Sequence, residues 1–113
     1  MKTVVKRRGD VHVNEAINSS QVNEYKNLEN HVLIDVRETD ELEQTGFVPG
    51  AVHYPLSSFE DFIDEFDKDK TYVVMCHSGG RSRNVQEYLQ GLGYKAINVE
   101  GGITLYDGEV EYL

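Results

Sequence analysis

The chain has 113 residues, 39% of them apolar and 27% charged, so it is long enough for one domain with a single hydrophobic core. Its net charge of −9 argues against nucleic acid as a partner, because an acidic surface repels phosphates. One cysteine excludes an internal disulfide, and no run approaches the roughly 18 apolar residues of a membrane span. The N-terminal MKTVVKRRGD lacks the apolar core of a signal peptide, and we therefore expect a cytoplasmic protein that contacts no membrane.

Predicted strands and helices alternate through the first half of the chain. VHVNEAI at 11–17 favours a strand, and SSQVNEYKN at 19–27 favours a short helix. NHVLIDV at 30–36 is an apolar run of strand length, and RETDELEQTG at 37–46 is a short polar helix pattern that ends at a glycine. GAVHYPL at 50–56 predicts another short strand, which its proline closes.

The second half continues the alternation. SSFEDFIDEFDKD at 57–69 predicts a helix that its serines cap, with an apolar stripe facing the core. TYVVMC at 71–76 predicts the most buried strand, SRNVQEYLQGLG at 82–93 an amphipathic helix that ends at glycine, and KAINVEGG at 95–102 a last strand. The two helical stripes are Phe59, Phe62, Ile63 and Phe66, followed by Val85, Tyr88, Leu89 and Leu92.

This alternation predicts an α/β fold, with a mostly parallel central sheet of about five strands and helices on both faces. The predicted domain covers residues 15–113, and residues 1–14 are an N-terminal extension or an edge hairpin around Gly9 and Asp10. Parallel sheets bind ligands at the carboxyl ends of their strands. Cys76, the only cysteine, lies at such an end.

The loop after Cys76 has the composition of an anion site. A helix N-terminus follows it and directs free N–H groups back at the turn. Gly79 and Gly80 permit backbone angles that turn successive amides inward, and Arg81 adds a permanent positive charge. These three features favour the thiolate of Cys76, which is the nucleophilic form of a cysteine.

The alternative is that Cys76 is a small buried apolar side chain at an ordinary strand–helix turn. Two glycines, Arg81 and a helix start within six positions favour a functional site instead. His77 is either a basic substrate contact or simply an exposed side chain. The four histidines show no paired ligand spacing with the cysteine, so we expect neither a metal nor a cofactor.

Three motifs in order resemble those of the rhodanese-like sulfurtransferases. CHSGGRS at 76–82 resembles the family's active-site loop, Cys-x-x-Gly-x-Arg-Ser, and LIDVRETDELEQTGFVPGAVHYPL at 33–56 resembles its signature of Asp-Val-Arg, Glu and Gly-His-Ile-Pro-Gly-Ala. YKAINVEGGITLY at 94–106 resembles its closing Gly-Gly segment. The resemblance runs from about Asn18 to Tyr106. It departs from the family at Phe47, where a histidine is usual, and at Tyr106, where a tryptophan is usual.

The resemblance implies a single-domain rhodanese-like fold and a role for each matched residue. Cys76 would be the nucleophile that accepts sulfur. Asp35 and Arg37 would brace the active loop from the neighbouring strand. The residues that would hold the substrate anion and the persulfide are His77, Ser78, Gly79, Gly80, Arg81 and Ser82. The residues that would shape the entry to the next strand are Glu41, Gly46, Pro49, Gly50 and Ala51.

The resemblance also implies sulfur transfer by double displacement, from a small donor such as thiosulfate to cyanide, a small thiol or a protein cysteine. With one cysteine the chain cannot resolve its own persulfide, so the acceptor must be external. We also expect a monomer.

Two alternatives stay open. A cysteine-dependent phosphatase or arsenate reductase uses a similar cradle, but with one more residue between cysteine and arginine. The other alternative is a non-catalytic interaction module on the same fold.

Overall fold

One parallel sheet forms the centre of the protein in a computed structural model, which describes residues 15–113. Its five strands lie in the order β1–β5–β4–β2–β3, and each neighbouring pair among them is parallel. The strands are β1 (Ala16–Asn18), β2 (His31–Asp35), β3 (Val52–His53), β4 (Thr71–Met75) and β5 (Lys95–Glu100). The predicted α/β fold is confirmed.

Helices cover both faces of this sheet, as predicted. The α-helices of the described residues are α1 (Val22–Lys26), α2 (Thr39–Thr45) and α3 (Gly80–Gly91), and 3-10 helices span Ser19–Gln21 and Leu56–Glu65. The longer 3-10 helix and α3 pack on one face, where the buried cluster includes Ile34, Phe59, Val74, Val85 and Leu89. On the opposite face, α1 packs through Val22 on a cluster that includes Leu33, Val73, Ile97 and Val99.

The register of the central strands determines where the site forms. Asp35 at the end of β2 pairs with Met75 at the end of β4, and the Val36 N–H donates to the Met75 carbonyl at 3.0 Å. On the other side of β4, Val74 pairs with Asn98 of β5. Val73, Val74 and Met75 are fully buried, and burial stabilises each side chain by roughly 1.5–3 kcal/mol. Cys76 therefore follows a strand held firmly on both sides.

The segment predicted as a serine-capped α-helix at 57–69 is instead a 3-10 helix, Leu56–Glu65, and this prediction is wrong in that respect. Its backbone is kinked at Ser58, with φ −128° and ψ 21°. Ser57 does not cap it, because the Ser57 hydroxyl and N–H donate to the Glu38 carboxylate at 2.7 and 3.0 Å. The apolar stripe is confirmed, with Phe59 and Phe66 buried.

The buried face of α3 is rotated from the predicted one. Val85 and Leu89 are buried as expected, but Tyr88 and Leu92 are 39% and 43% exposed. Gln86 is buried in their place, because its side-chain amide donates to the carbonyls of Glu15 at 2.6 Å and Ala96 at 3.1 Å. The Gln86 amide therefore lies on the buried face of this helix, bonded to two carbonyls.

The remaining predictions concern the chain ends. Of the strand predicted at 11–17, residues 16–17 belong to β1, while residues 11–14 and the proposed hairpin at 1–14 lie outside the described residues. Helix formation at 19–27 is confirmed as a 3-10 turn followed by α1. Within residues 15–113, every helix is too short or too polar to cross a bilayer.

Candidate active site

The active loop, from Cys76 to Ser82, lies at the carboxyl edge of the sheet. It consists of the turn after β4 and the first residues of α3. Gly79 is the N-cap of α3 and has φ +113°, a left-handed conformation that L side chains rarely adopt. Gly80 begins the helix and is exposed. The turn therefore needs glycine at 79, and it directs the first amides of α3 back towards β4.

The sulfur of Cys76 lies inside this turn, with the residue only 1% exposed. The backbone N–H of Gly79 donates to Sγ at 3.1 Å and that of Ser82 at 3.4 Å. The Ser82 hydroxyl lies 3.3 Å from Sγ. The amides of Gly79 and Ser82 thus face one atom, an arrangement that can stabilise an anion; that the loop binds a substrate anion stays a prediction.

The surroundings of Cys76 lower the pKa of its thiol below the ordinary value. Burial is the largest single influence and raises the pKa, but hydrogen bonds from the Ser82 hydroxyl and from the amides of Ser82, Gly79 and Ser78 together outweigh it. Arg81 supplies the nearby positive charge, and its attraction to Cys76 contributes to raising the pKa of the guanidinium. The thiolate is thus favoured chiefly by hydrogen bonds.

Arg81 is bound to Glu41 of α2. Its Nη1 and Nη2 donate to the two carboxylate oxygens at 2.8 and 2.7 Å, with the side chains 36% and 28% exposed. The hydrogen bond from Arg81 is the main cause that lowers the pKa of Glu41 to about 2. The sequence placed Glu41 only in the entry to the next strand, and the structure brings it to the mouth of the loop.

Asp35 and Arg37 form a fully buried ion pair, with Nη2 and Oδ2 at 2.8 Å. Arg37 also donates to the Thr45 hydroxyl and the Gly46 carbonyl, each at 2.8 Å. These bonds connect the end of β2 to the end of α2, the helix that carries Glu41. The role of the pair in bracing the active loop stays a prediction, and these contacts indicate that it would act through α2.

The closing Gly-Gly segment packs directly on the loop. The N–H groups of Ile103 and Thr104 donate to the carbonyls of Cys76 and His77, both at 3.0 Å. A Cβ on Gly102, which has φ +52°, would overlap both of those carbonyl oxygens. Glycine is therefore required at 102. The His77 side chain is exposed beside the Thr104 hydroxyl, and its part in substrate binding stays a prediction.

Asn98 is a site residue that sequence reasoning missed. It is buried on β5, its Oδ1 lies 2.5 Å from the Ser82 hydroxyl, and its Nδ2 donates to the Gly79 carbonyl at 3.3 Å. The signal available in the sequence was a lone amide in the apolar strand KAINVE. A buried amide in such a strand needs partners, and here they are the active loop.

The two departures from the family pattern are accommodated locally. Phe47 is partly buried, and its backbone pairs with Glu111 through two hydrogen bonds of 2.8 Å. Tyr106 packs beside the cluster around Val22, and its hydroxyl donates to the Glu109 carbonyl at 2.8 Å. Neither residue contacts the sulfur of Cys76.

A cavity of about 350 Å³ lies at the loop, between it and α2. Its lining residues are Arg37, Glu41, Gln44, Thr45, His77 and Arg81. Among residues 15–113, no group of three histidine, cysteine or acidic side chains is arranged to hold a metal ion.

A cysteine in such a loop, with the closing glycines packed against it, matches a known family. The family model for the rhodanese-like domain matches residues 12–109. The chain belongs to the rhodanese-like domain family. Among its relatives is YtwF of Bacillus subtilis (strain 168), which is named as a sulfurtransferase by proposal. YtwF is 46% identical over 79 residues, which cover 70% of this chain and 76% of YtwF. GlpE of Pseudomonas syringae, named a thiosulfate sulfurtransferase, is 40% identical over 76 residues, which cover 66% of this chain and 71% of GlpE.

The solved structures agree with this assignment. The crystal structure of a rhodanese-like domain protein from Staphylococcus aureus superimposes with a TM-score of 0.78 at 32% sequence identity. The match covers 88% of this chain and 98% of that one. The rhodanese-like fold implied by the sequence motifs is therefore confirmed.

Proposed function

We propose that this protein is a sulfurtransferase that carries sulfane sulfur from a small donor such as thiosulfate, as a persulfide on Cys76, to an external acceptor. The observation that carries the proposal is the Cys76 sulfur itself, which is buried and faces the amides of Gly79 and Ser82. Those amides favour a thiolate before the reaction and a persulfide anion after it. The names of the relatives support transfer of sulfur in general, and thiosulfate as donor belongs to the proposal.

In the loading step, the Cys76 thiolate attacks the outer sulfur of thiosulfate. A bond forms between Sγ and that sulfur, the bond from it to the sulfonate breaks, and the electron pair leaves with sulfite. The loop amides then hold the outer sulfur of the persulfide. Arg81 lines the cavity beside the loop. Its guanidinium, which is bonded to Glu41, would also attract the negatively charged sulfonate of the donor.

In the unloading step, an acceptor thiolate or cyanide attacks the outer sulfur. The bond to Sγ breaks and its electron pair returns to Cys76 as a thiolate, so no external oxidant or reductant is needed. The chain has one cysteine, and the acceptor must therefore be another molecule. A cytoplasmic location is part of the proposal, because a thiolate enzyme with no disulfide needs no oxidising compartment. A monomeric state is proposed as well.

The spacing in the loop favours sulfur over phosphate. Four residues separate Cys76 from Arg81, one fewer than in the cysteine phosphatases. The resulting nest places its amides around a single atom, the sulfur, at 3.1 and 3.4 Å. A phosphoryl group has three equatorial oxygens to satisfy and would need a wider ring of donors.

Mass spectrometry of the intact protein after incubation with thiosulfate tests the proposal. We expect the mass to increase by one sulfur atom on Cys76 and to return to the starting value when cyanide or a small thiol is added. Cys76→Ser is the control and should gain no mass. An unmodified protein that hydrolyses an aryl phosphate would instead support the phosphatase alternative, and a protein inactive in both assays would support the interaction module.

A further inference from the structure

The Ser82 hydroxyl is shared among more acceptors than it can serve. It lies 3.3 Å from the Cys76 sulfur, 3.2 Å from the Gly79 carbonyl and 2.5 Å from Asn98 Oδ1. A serine hydroxyl has one proton to donate. Ser82 and Asn98 are both buried, so water does not relieve the competition.

The shortest contact shows where the proton lies. Two oxygen atoms 2.5 Å apart require a proton between them, and the amide oxygen of Asn98 carries none. The orientation of the amide follows from its other end, because Nδ2 donates to the Gly79 carbonyl at 3.3 Å and a flipped amide would place two oxygens face to face. Beside the neutral thiol, the Ser82 proton is therefore directed at Asn98. The hydrogen bond by which Ser82 lowers the pKa of Cys76 forms only when the hydroxyl turns to the thiolate.

We propose that Asn98 is a positioning residue that controls the direction of the Ser82 hydroxyl and thereby balances the loading and unloading of sulfur at Cys76. With its proton on Asn98, Ser82 turns a lone pair towards Sγ, where it accepts the S–H of a neutral thiol. Donation to a thiolate requires the hydroxyl to rotate and leaves Asn98 Oδ1 buried without that partner. Asn98 thus opposes the thiolate, whereas the amides of Gly79 and Ser82 favour it.

The effect of Asn98 on loading and unloading rests on the proposed sulfur transfer, whereas its effect on the Ser82 hydroxyl does not. Nucleophilicity of a thiolate falls as its pKa falls, whereas a thiolate of lower pKa is a better leaving group. Cys76 is the nucleophile when sulfur is loaded and the leaving group when sulfur is passed on. By keeping the thiolate more basic, Asn98 favours loading at the expense of unloading.

The charged groups around Cys76 are not altered by replacing Asn98, which is neutral. Arg81 at the start of α3 is the charge that interacts with Cys76, and Glu41 of α2 neutralises it. Asp35 and Arg37, from β2, neutralise each other. The Gly79 carbonyl also keeps a partner without Asn98, because the Arg83 N–H donates to it at 3.2 Å.

The test is the pH dependence of Cys76 alkylation by iodoacetamide in Asn98→Leu, which keeps a side chain of similar length. We expect the midpoint to fall by roughly 0.5–1 pH unit, because Ser82 is then free to donate to the sulfur. In a Ser82→Ala background the same substitution should not move the midpoint. Gln86→Leu, which removes another buried amide bonded to β5, is the matched control and should leave the midpoint unchanged.

A purely structural role for Asn98 predicts the opposite sign. A loosened loop would lose amide donors to the sulfur, and the midpoint would rise. A higher or unchanged midpoint in Asn98→Leu, or an equal shift in the Ser82→Ala background, overturns the proposal. If the Leu variant does not fold, the smaller neutral variant Asn98→Ala serves instead, and a midpoint that does not fall there also overturns the proposal.

The consequence for catalysis is measured in single turnovers at a pH above both midpoints. Asn98→Leu should load from thiosulfate roughly twofold more slowly and transfer to a thiol roughly twofold faster. If the loading rate and the transfer rate changed in the same direction, Asn98 would not balance the two steps, and that part of the proposal would be overturned. Alkylation requires no sulfur transfer, so failure of the proposed function and failure of the Asn98 proposal are distinguishable.

Discussion

The guanidinium of Arg81, the positive charge in the active loop, is already hydrogen-bonded to the carboxylate of Glu41. Both outer nitrogens of Arg81 donate to Glu41, and both side chains are only partly exposed. Under the proposed function, an incoming sulfonate would share Arg81 with the Glu41 carboxylate, which would weaken its binding but keep the guanidinium in position. Glu41 acts as a permanent neighbour of the site and not merely as part of the entry to β3.

The Arg81–Glu41 pair should make stability depend on pH in the acid range. The pKa of Glu41 is lowered from 4.5 to about 2 in the folded protein, so the pair contributes above pH 4.5 and loses its contribution as the pH falls towards 2. Partial exposure limits the effect to about 1 kcal/mol or less. Urea unfolding of the parent and Glu41→Gln should show a difference at pH 6 that shrinks by pH 3.

The control for this measurement is Glu43→Gln, an exposed neighbour on the same helix. Its difference from the parent should be smaller at pH 6 than that of Glu41→Gln. A difference between the parent and Glu41→Gln that stays constant from pH 6 to pH 3 would show that the ion pair adds nothing to stability.

At the scale of elements, the active loop depends on the turn that follows β5. Gly102→Ala should destabilise the protein by about 2 kcal/mol or more, because φ +52° is unfavourable for alanine and its Cβ would overlap the carbonyls of Cys76 and His77. Gly80→Ala is the matched control. A Cβ at that position meets nothing within 4 Å, so stability should be unchanged or slightly increased.

Thermal unfolding and the rate of Cys76 alkylation would be measured on both glycine variants. Gly102→Ala should lower the melting temperature and change the alkylation rate, since Ile103 and Thr104 would no longer hold the loop carbonyls. A Gly102→Ala protein as stable as Gly80→Ala would mean that the turn adjusts freely and does not support the loop.

Local signals in the sequence predicted the strand β4, the turn at Cys76 and the helix after it, because each depends on residues close together in the chain. The contacts of Asn98 and Glu41 with the loop could not be predicted in this way. They join residues 16 and 40 positions apart, and they depend on the strand register and on the placement of α2. The buried face of α3 was partly missed for the same reason, since the partners of Gln86 are the carbonyl of Glu15, just before β1, and that of Ala96 in β5.

At the scale of the whole molecule, the protein has a net charge of −9, whereas the two arginines at the site are each paired with a carboxylate. Arg81 is neutralised by Glu41 and Arg37 by Asp35, so an approaching ion experiences the acidic remainder of the protein at long range. Under the proposed function, we expect a dianion such as thiosulfate to be repelled at long range before it reaches Arg81. Salt shortens the range of this repulsion, from about 30 Å at 0.01 M to about 10 Å at 0.1 M.

Two alkylating reagents that differ in charge therefore measure the field at Cys76. Iodoacetate carries a negative charge and iodoacetamide is neutral. We expect iodoacetate to react more slowly at 0.01 M ionic strength, and the ratio of the two rates to approach its high-salt value as ionic strength rises to 0.2 M. Loading from thiosulfate should accelerate with salt in parallel, while iodoacetamide changes little and serves as the control. If iodoacetate instead reacts fastest at low salt, the positive charge of Arg81 dominates the field at the sulfur, which would mean that Glu41 does not neutralise it in solution.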